Sequence, residues 1–282
     1  MTGKGSTHAG SIATSTAAEL GLGALVRATP ASVVTCSVSA VTEQPLFDAE
    51  FDLRTDTPLD KDPDTFSPTL RRYHRMLWSK KLPDGEAFVL TAERPNVYLM
   101  HDSDLGRFVL SSDTIATSHK KRLARFYGQL RDEQNQSFHR QGYTIGGTIL
   151  FPGVRVGGKQ TINQRRGTHR FVDDRFDLTL ECIRLHYLGQ SSPLADTLLA
   201  YKSFFDLFVD FAGYVDFFHL GDLVSASGGV HFLHPFAEFG EDVLPDNLDD
   251  YAAYRDRTLD FVRARNQRIH DWVYENGLER SW

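Results

Sequence analysis

The sequence predicts a single α+β domain, a β-rich N-terminal half packed against a mostly helical C-terminal half, and three observations carry the prediction. Short alternating, β-branched or aromatic runs bounded by turn residues cluster before about residue 161. Apolar residues at helical spacing dominate the rest of the chain, ending in a long amphipathic stretch over 249–276. No linker composition separates the halves, and 20 Phe among 282 residues supply rings enough for one large core.

In chain order, 25 of the first 40 residues are Ala, Ser, Thr or Gly, too little apolar surface to offset ordering entropy. Residues 1–42 are therefore expected as a disordered tail and 43–282 as the globular domain. FDAEFDLR alternates and reads as a strand. Ser67 followed by Pro68 is a cap and first-turn proline, so TLRRYHRMLWSK is a helix. Turn chemistry at Pro83, Asp84 and Gly85 introduces three short strands, EAFVLTAE, NVYLMH and GRFVLSSD. SHKKRLARFYGQLRDEQNQSFHR reads as one basic helix, and YTIGGTILFPGVRV as a strand pair. Asp173 or Asp174 can cap a helix ending at Gly189, PLADTLLAYKSFFDLFVDF reads as a core helix, and GYVDFFHLGDLV as a third. The last helix places Tyr251, Tyr254, Val262, Ile269 and Val273 on one face.

Two cysteines, Cys36 and Cys182, do not make a disulfide framework, and no apolar run approaches the ~20 residues of a membrane span. Lys4, Glu19 and Arg27 interrupt the early apolar stretches, against a secretory signal. A cytoplasmic protein without membrane partners is the expectation. The net charge of −6 hides an asymmetry: residues 118–187 hold 13 Lys and Arg against 6 acids, whereas 206–250 hold 10 acids and no cation. Such a distribution suggests mutual docking of the two segments, or a cleft with two poles.

The densest polar segment is 160–187. Asn163, Gln164, Arg165, Arg166 and Arg175, with Lys159 and Arg170 beside them, offer amides and guanidinium forks suited to phosphate or carboxylate. In the next helix, Asp177, Glu181 and Arg184 share one face, and two carboxylates held there can act as acid and base with Arg184 balancing them. The bland alternative is a surface helix with an internal salt bridge. Asp206 and Asp210 on one helix, and His231 with His234, lack the ligand number and spacing of a metal site, so none is assigned. Phosphate-binding loop and nucleophile-elbow motifs are missing, and the sequence names no cofactor.

Two resemblances complete the sequence reading. Arg265 and His270, in RNQRIH, resemble the active-site signature of HEPN ribonucleases. That resemblance implies a dimeric helical bundle in which His270 moves protons and Arg265 stabilises charge at a scissile phosphate. Over about Phe51 to Ile269 the chain resembles a family of bacterial proteins of unknown function, through DPDTFSPTLRRYH, GYTIGGTILFP, TINQRRG, DRFDLTLECIRLHY and FFDLFVDFAGYVDFFHLGDLV. The second resemblance implies no activity, cofactor or catalytic residue. Three readings stand. The first is a protein that binds or acts on a phosphorylated small molecule, nucleotide or nucleic acid through the Arg- and Asn-rich loop. The second is a HEPN-like metal-independent ribonuclease of stress or phage defence. The third is a non-catalytic interaction protein. Oligomeric state is not legible.

Overall fold

A computed structural model describes residues 46–281 apart from 92, 93 and 95, so the segment 1–42 lies outside the described residues. In chain order the elements are α1 (Pro63–Phe66), α2 (Pro68–Trp78), β1 (Met100–Ser103), β2 (Gly106–Thr114), α3 (Ala124–Tyr127), α4 (Asp132–Gly142) and β3 (Thr148–Pro152). They continue as α5 (Ile162–Thr168), α6 (Phe176–Tyr187), α7 (Ala195–Ala200), α8 (Lys202–Asp206), α9 (Phe211–Phe217) and α10 (Leu248–Glu275). The fold is α+β: one three-stranded antiparallel sheet in the N-terminal half, order β1-β2-β3, with a helical C-terminal region.

Local chemistry explains the elements that match expectation. Ser67 Oγ accepts from Leu70 N and Pro68 opens α2. Asn247 caps α10 by accepting from Asp250 N, and Tyr251, Tyr254, Val262, Ile269 and Val273 are all buried along it. Helix α6 stops where Gly189 turns left-handed (φ +66°) and Gln190 N reaches back to Leu185 O.

Elsewhere tertiary contacts override the local pattern. FDAEFDLR is not a strand, yet its alternation is real: Phe47, Ala49 and Leu53 are buried on one side. The segment is tied by single hydrogen bonds, Leu53 N to Tyr143 O and Ile145 N to Ala49 O, rather than by a ladder. The segment 86–91 makes only isolated bridges, and the basic helix breaks into α3 and α4 around Gly128. YTIGGTILFPGVRV forms one strand, β3, preceded by a 3₁₀ turn over Ile145–Gly147. The expected core helix over 193–211 becomes α7 and α8, which break at Tyr201 (φ −108°). The expected helix over 213–224 becomes α9 followed by a 3₁₀ turn over Gly221–Leu223. Between them Val209 is left-handed (φ +67°) and Asp210 caps α9 through Gly213 N. Asp206 and Asp210 thereby fall on different elements, with Asp206 held by Lys202.

Rings fill the space between sheet and helices. Phe108 of β2 meets Phe204 edge-on at 5.7 Å, and Phe208, Phe217 and Phe218 pack with one another at 5.1 Å. The fully buried Arg265 of α10 fastens the sheet entrance to this core: it donates to Phe218 O, Gly146 O and Thr148 O. Beside it Asn266 accepts from Gly146 N at 2.6 Å and donates to Thr144 Oγ1 at 2.9 Å. No side chain fits at Gly146, where a Cβ would stand 2.6 Å from both Asn266 Oδ1 and Val262 O.

Gly146→Ala is therefore expected to destabilise by about 1–3 kcal/mol, or more if the Asn266 bond is lost. Gly128→Ala, whose added methyl meets nothing nearer than 3.4 Å, changes stability little. Urea denaturation of both variants checks the pair.

Candidate functional site

The polar segment 160–187 folds as predicted in its second part and differently in its first. TINQRRGT is not a loop: Thr161 and Gln164 form a reciprocal capping box and open α5. That turns Arg166 inward. Its guanidinium is 0% exposed, and Nη1 donates to Asp113 Oδ2 of β2 at 2.7 Å and pairs with Asp174 Oδ1 at 2.9 Å. Nε donates to Thr179 Oγ1 and Nη2 to Asp174 O. Burial works against the charge, but Asp174 and Asp113 outweigh it and the proton is held more tightly than in water.

Both carboxylates keep an edge in solvent, their side chains being 31% and 26% exposed. Their bonded oxygens lie within about 5.6 Å, the sum of the two distances to Nη1. Burial raises the Asp113 carboxyl above its ordinary range, and the Asp174 charge adds to that against the pull of Arg166. Around the pair the backbone is strained: Asp173, Asp174 and His119 have φ of +51°, +65° and +50°. His119 Nε2 bonds Asp173 O at 2.8 Å, and burial pushes its pKa down to about 4. Arg122 pairs with Asp173 and donates to Gly167 O, closing the outer side.

The end of β2 links this centre to α1 and α2. Ser112 donates through N and Oγ to Asp64, at 2.7 and 2.6 Å, and its carbonyl faces Asn163 Nδ2. Asn163 Oδ1 is buried with no hydrogen-bond partner among the described residues. His74 approaches the same carboxylate, Nε2 3.7 Å from the Oδ1 that Ser112 Oγ bonds. Neither ring nitrogen of His74 has a hydrogen-bond partner among the described residues, so the serine–histidine bond of a nucleophile triad is not formed here.

Each of the expected catalytic residues has side-chain partners of its own. Asp177 is fully buried, bonded twice by Arg175 and once by Leu233 N. Glu181 accepts from Nε and Nη2 of Arg184, both at 2.8 Å, the internal salt bridge of the bland alternative. Arg175 is also fully buried and donates to Val243 O and His234 O, tying α6 to the segment before α10. Of the expected anion-binding residues, Arg166 and Arg175 are thus engaged. Gln164 serves the cap of α5 and receives Arg155, and Arg165 is half-buried. Among the described residues the acidic segment meets the arginines of the basic middle through backbone carbonyls, Arg175 at Val243 and His234 and Arg125 at Asp246.

The Arg265 and His270 pair is not assembled. Arg265 is inside the core, whereas His270 is on an outer face stacked on Tyr274 at 4.3 Å. Among the described residues no group of three or more His, Cys, Asp or Glu side chains is placed to hold a metal ion, and no helix is long and apolar enough to cross a membrane. Sequence reasoning missed Asp113, Ser112, Asp64, His74 and His119. The polar run LSSD at the end of an apolar strand was the available signal for the first two.

Comparison with known proteins gives a match to a family of unknown function (DUF6994) over residues 47–269. No curated protein and no solved structure matches the chain.

Removing the shared cation leaves two carboxylates facing each other. Arg166→Met is expected to cost about 3–5 kcal/mol at neutral pH, and Asp113→Asn on that background recovers part of it; urea denaturation reads both. His119 gives a pH signature: the unfolded chain takes up its proton near pH 6.5, the folded chain only near 4. Its contribution is present above pH 6.5 and is lost as pH falls toward 4. The stability gap between wild type and His119→Gln narrows by roughly 3 kcal/mol from pH 7 to 4 in chemical denaturation.

Proposed function

We propose that this chain, which belongs to the DUF6994 family of unknown function, binds a small hydroxyl- or amine-bearing molecule at the Asp113–Arg166–Asp174 centre and works on it by acid–base chemistry. The observation that carries the reading is the convergence of two partly exposed carboxylates, from β2 and from the turn before α6, on one nitrogen of a fully buried arginine. Carboxylates so held present acceptor oxygens of fixed direction, and ligand hydroxyls or ammonium groups supply the complementary donors. Asn163 Oδ1 offers a third acceptor beside Ser112.

Asp113 is assigned the proton-transfer role, because its raised pKa brings it nearer to neutral conditions than an ordinary aspartate. Asp174 stands close by, and Arg166 fixes both. The guanidinium fills the space between the carboxylates, so they do not flank a scissile bond as the paired acids of glycosidases do. The chemistry acts from one side, as proton abstraction or donation. Three strained residues in this one place support a site kept for use rather than for stability.

A phosphorylated ligand or nucleic acid fits this centre less well. One guanidinium against two carboxylates leaves a negative site, and the cations outside it, Arg165 and Arg170, lie at the surface.

A thermal-shift screen with nucleosides, sugars and polyamines, against nucleotides and inorganic phosphate, tests the reading. A ligand at ~100 times its dissociation constant stabilises by about 2.7 kcal/mol. The expected result is a shift with a hydroxyl- or amine-bearing compound that Asp113→Asn abolishes and Glu181→Gln retains. Shifts with phosphate compounds alone, undiminished in Asp113→Asn, overturn it.

A further inference from the structure

Away from the residues of the Asp113 centre, two clefts meet at Asp216, His219 and Arg268. The smaller, about 300 Å³, has walls from Phe211, Val215 and Val224, with Ala212 and Ala226 at its edges. The larger, about 650 Å³, is lined by Lys80, Trp272 and the outer turns of α10. Together they fall in the size range of small-molecule sites.

Their shared wall carries cations with unused donors. Lys80 sits between the rings of Phe217 and Trp272, 5.0 and 5.3 Å from their centroids, and gives two N–H bonds to Asp216 O and Phe217 O at the end of α9. An ammonium has three donors, so one is left over. Arg268 engages Asp222 through Nε and Nη2, at 3.2 and 2.6 Å, which leaves Nη1. Beside them His219 is 6% exposed, left-handed at φ +55°, and tilted against Trp272 with ring centroids 5.1 Å apart, its Nε2 buried and without a partner among the described residues.

We propose that the joined clefts bind an amphipathic monocarboxylate, its alkyl or aryl tail in the Phe211–Val215–Val224 slot and its carboxylate between Lys80 and Arg268. Apolar walls on one side and two half-used cations on the other match a molecule with one apolar end and one anionic end. Asp216, Asp271 and Glu275 line the larger cleft as well, so the ligand's carboxylate is held by direct contact with the two cations rather than by a positive field, and a dianion is repelled. Burial lowers the Lys80 ammonium to about 8, and an anion beside it offsets that loss of hydration. His219, its pKa pushed down to about 2 by burial and by Lys80, Arg265 and Arg268, is neutral and can donate Nε2–H to the same carboxylate. The site shares no residue with the Asp113 centre, so either can fail without the other.

Isothermal titration of the full chain with octanoate, with octanol and inorganic phosphate as controls, tests the proposal. Octanoate is expected to bind one-to-one, at least about tenfold tighter than octanol, with phosphate silent. Lys80→Met should weaken octanoate about tenfold or more while leaving octanol unchanged, and Ala212→Trp, at an exposed edge of the slot, should weaken both. No octanoate heat up to about 10 mM, equal binding of octanol, or unchanged octanoate affinity in both variants overturns it.

Discussion

A guanidinium with no solvent contact must keep its counter-charges, and Arg166 imposes that constraint on three separate parts of the chain. It requires Asp113 at the end of β2, Asp174 in a strained turn and Thr179 inside α6, and so fixes the sheet, α5 and α6 with respect to one another. The left-handed residues 173 and 174 shape the turn that brings Asp174 to the nitrogen Asp113 also holds, with the left-handed His119 bonded to that turn at Asp173 O. The same arrangement leaves two carboxylate edges in solvent, so a structural joint is at the same time the proposed site of chemistry.

Other buried arginines do similar fastening without an exposed product. Arg175 joins α6 to the segment before α10 through Asp177 and two carbonyls, and Arg265 joins α10 to the sheet entrance through carbonyls alone. Arg255 adds a bond to Asn135 and a stack over Phe138 between α10 and α4. Planar, many-donor guanidiniums suit such work, because one side chain satisfies several carbonyls that helix ends and turns leave open. The arginine-rich segment thus serves assembly first. Anion recognition passes instead to Lys80 and Arg268, cations whose hydrogen bonding is only partly filled.

Local chemistry decides how much of the fold is legible in the sequence. The cap at Ser67, the end at Gly189 and the apolar stripe of α10 all depend on residues a few positions apart. Alternation over 47–53 marks the right buried face and the wrong element, because a strand also needs a neighbour and that segment has only single bonds to offer. The core helix reads as continuous because its composition is helical, yet it breaks at Tyr201, and Asp210 closes off its end by capping the next helix. For the site, 160–187 points to the right neighbourhood through Arg166 and Asn163. The partner Asp113 lies 53 residues earlier, and burial of a charge becomes visible only once such a partner is in place. Asp177 and Glu181 share a helical side as periodicity requires, yet each has its own arginine two or three residues away.

Chemistry at this centre depends on Asp113 being a carboxyl perturbed by burial and by its neighbour, and a carbon-13 NMR titration of the aspartate side chains measures that directly. Asp113 is expected to titrate above the ordinary aspartate range and to move back down in Asp174→Asn, where the like charge is gone. An Asp113 that titrates at the ordinary value and ignores the substitution would contradict it.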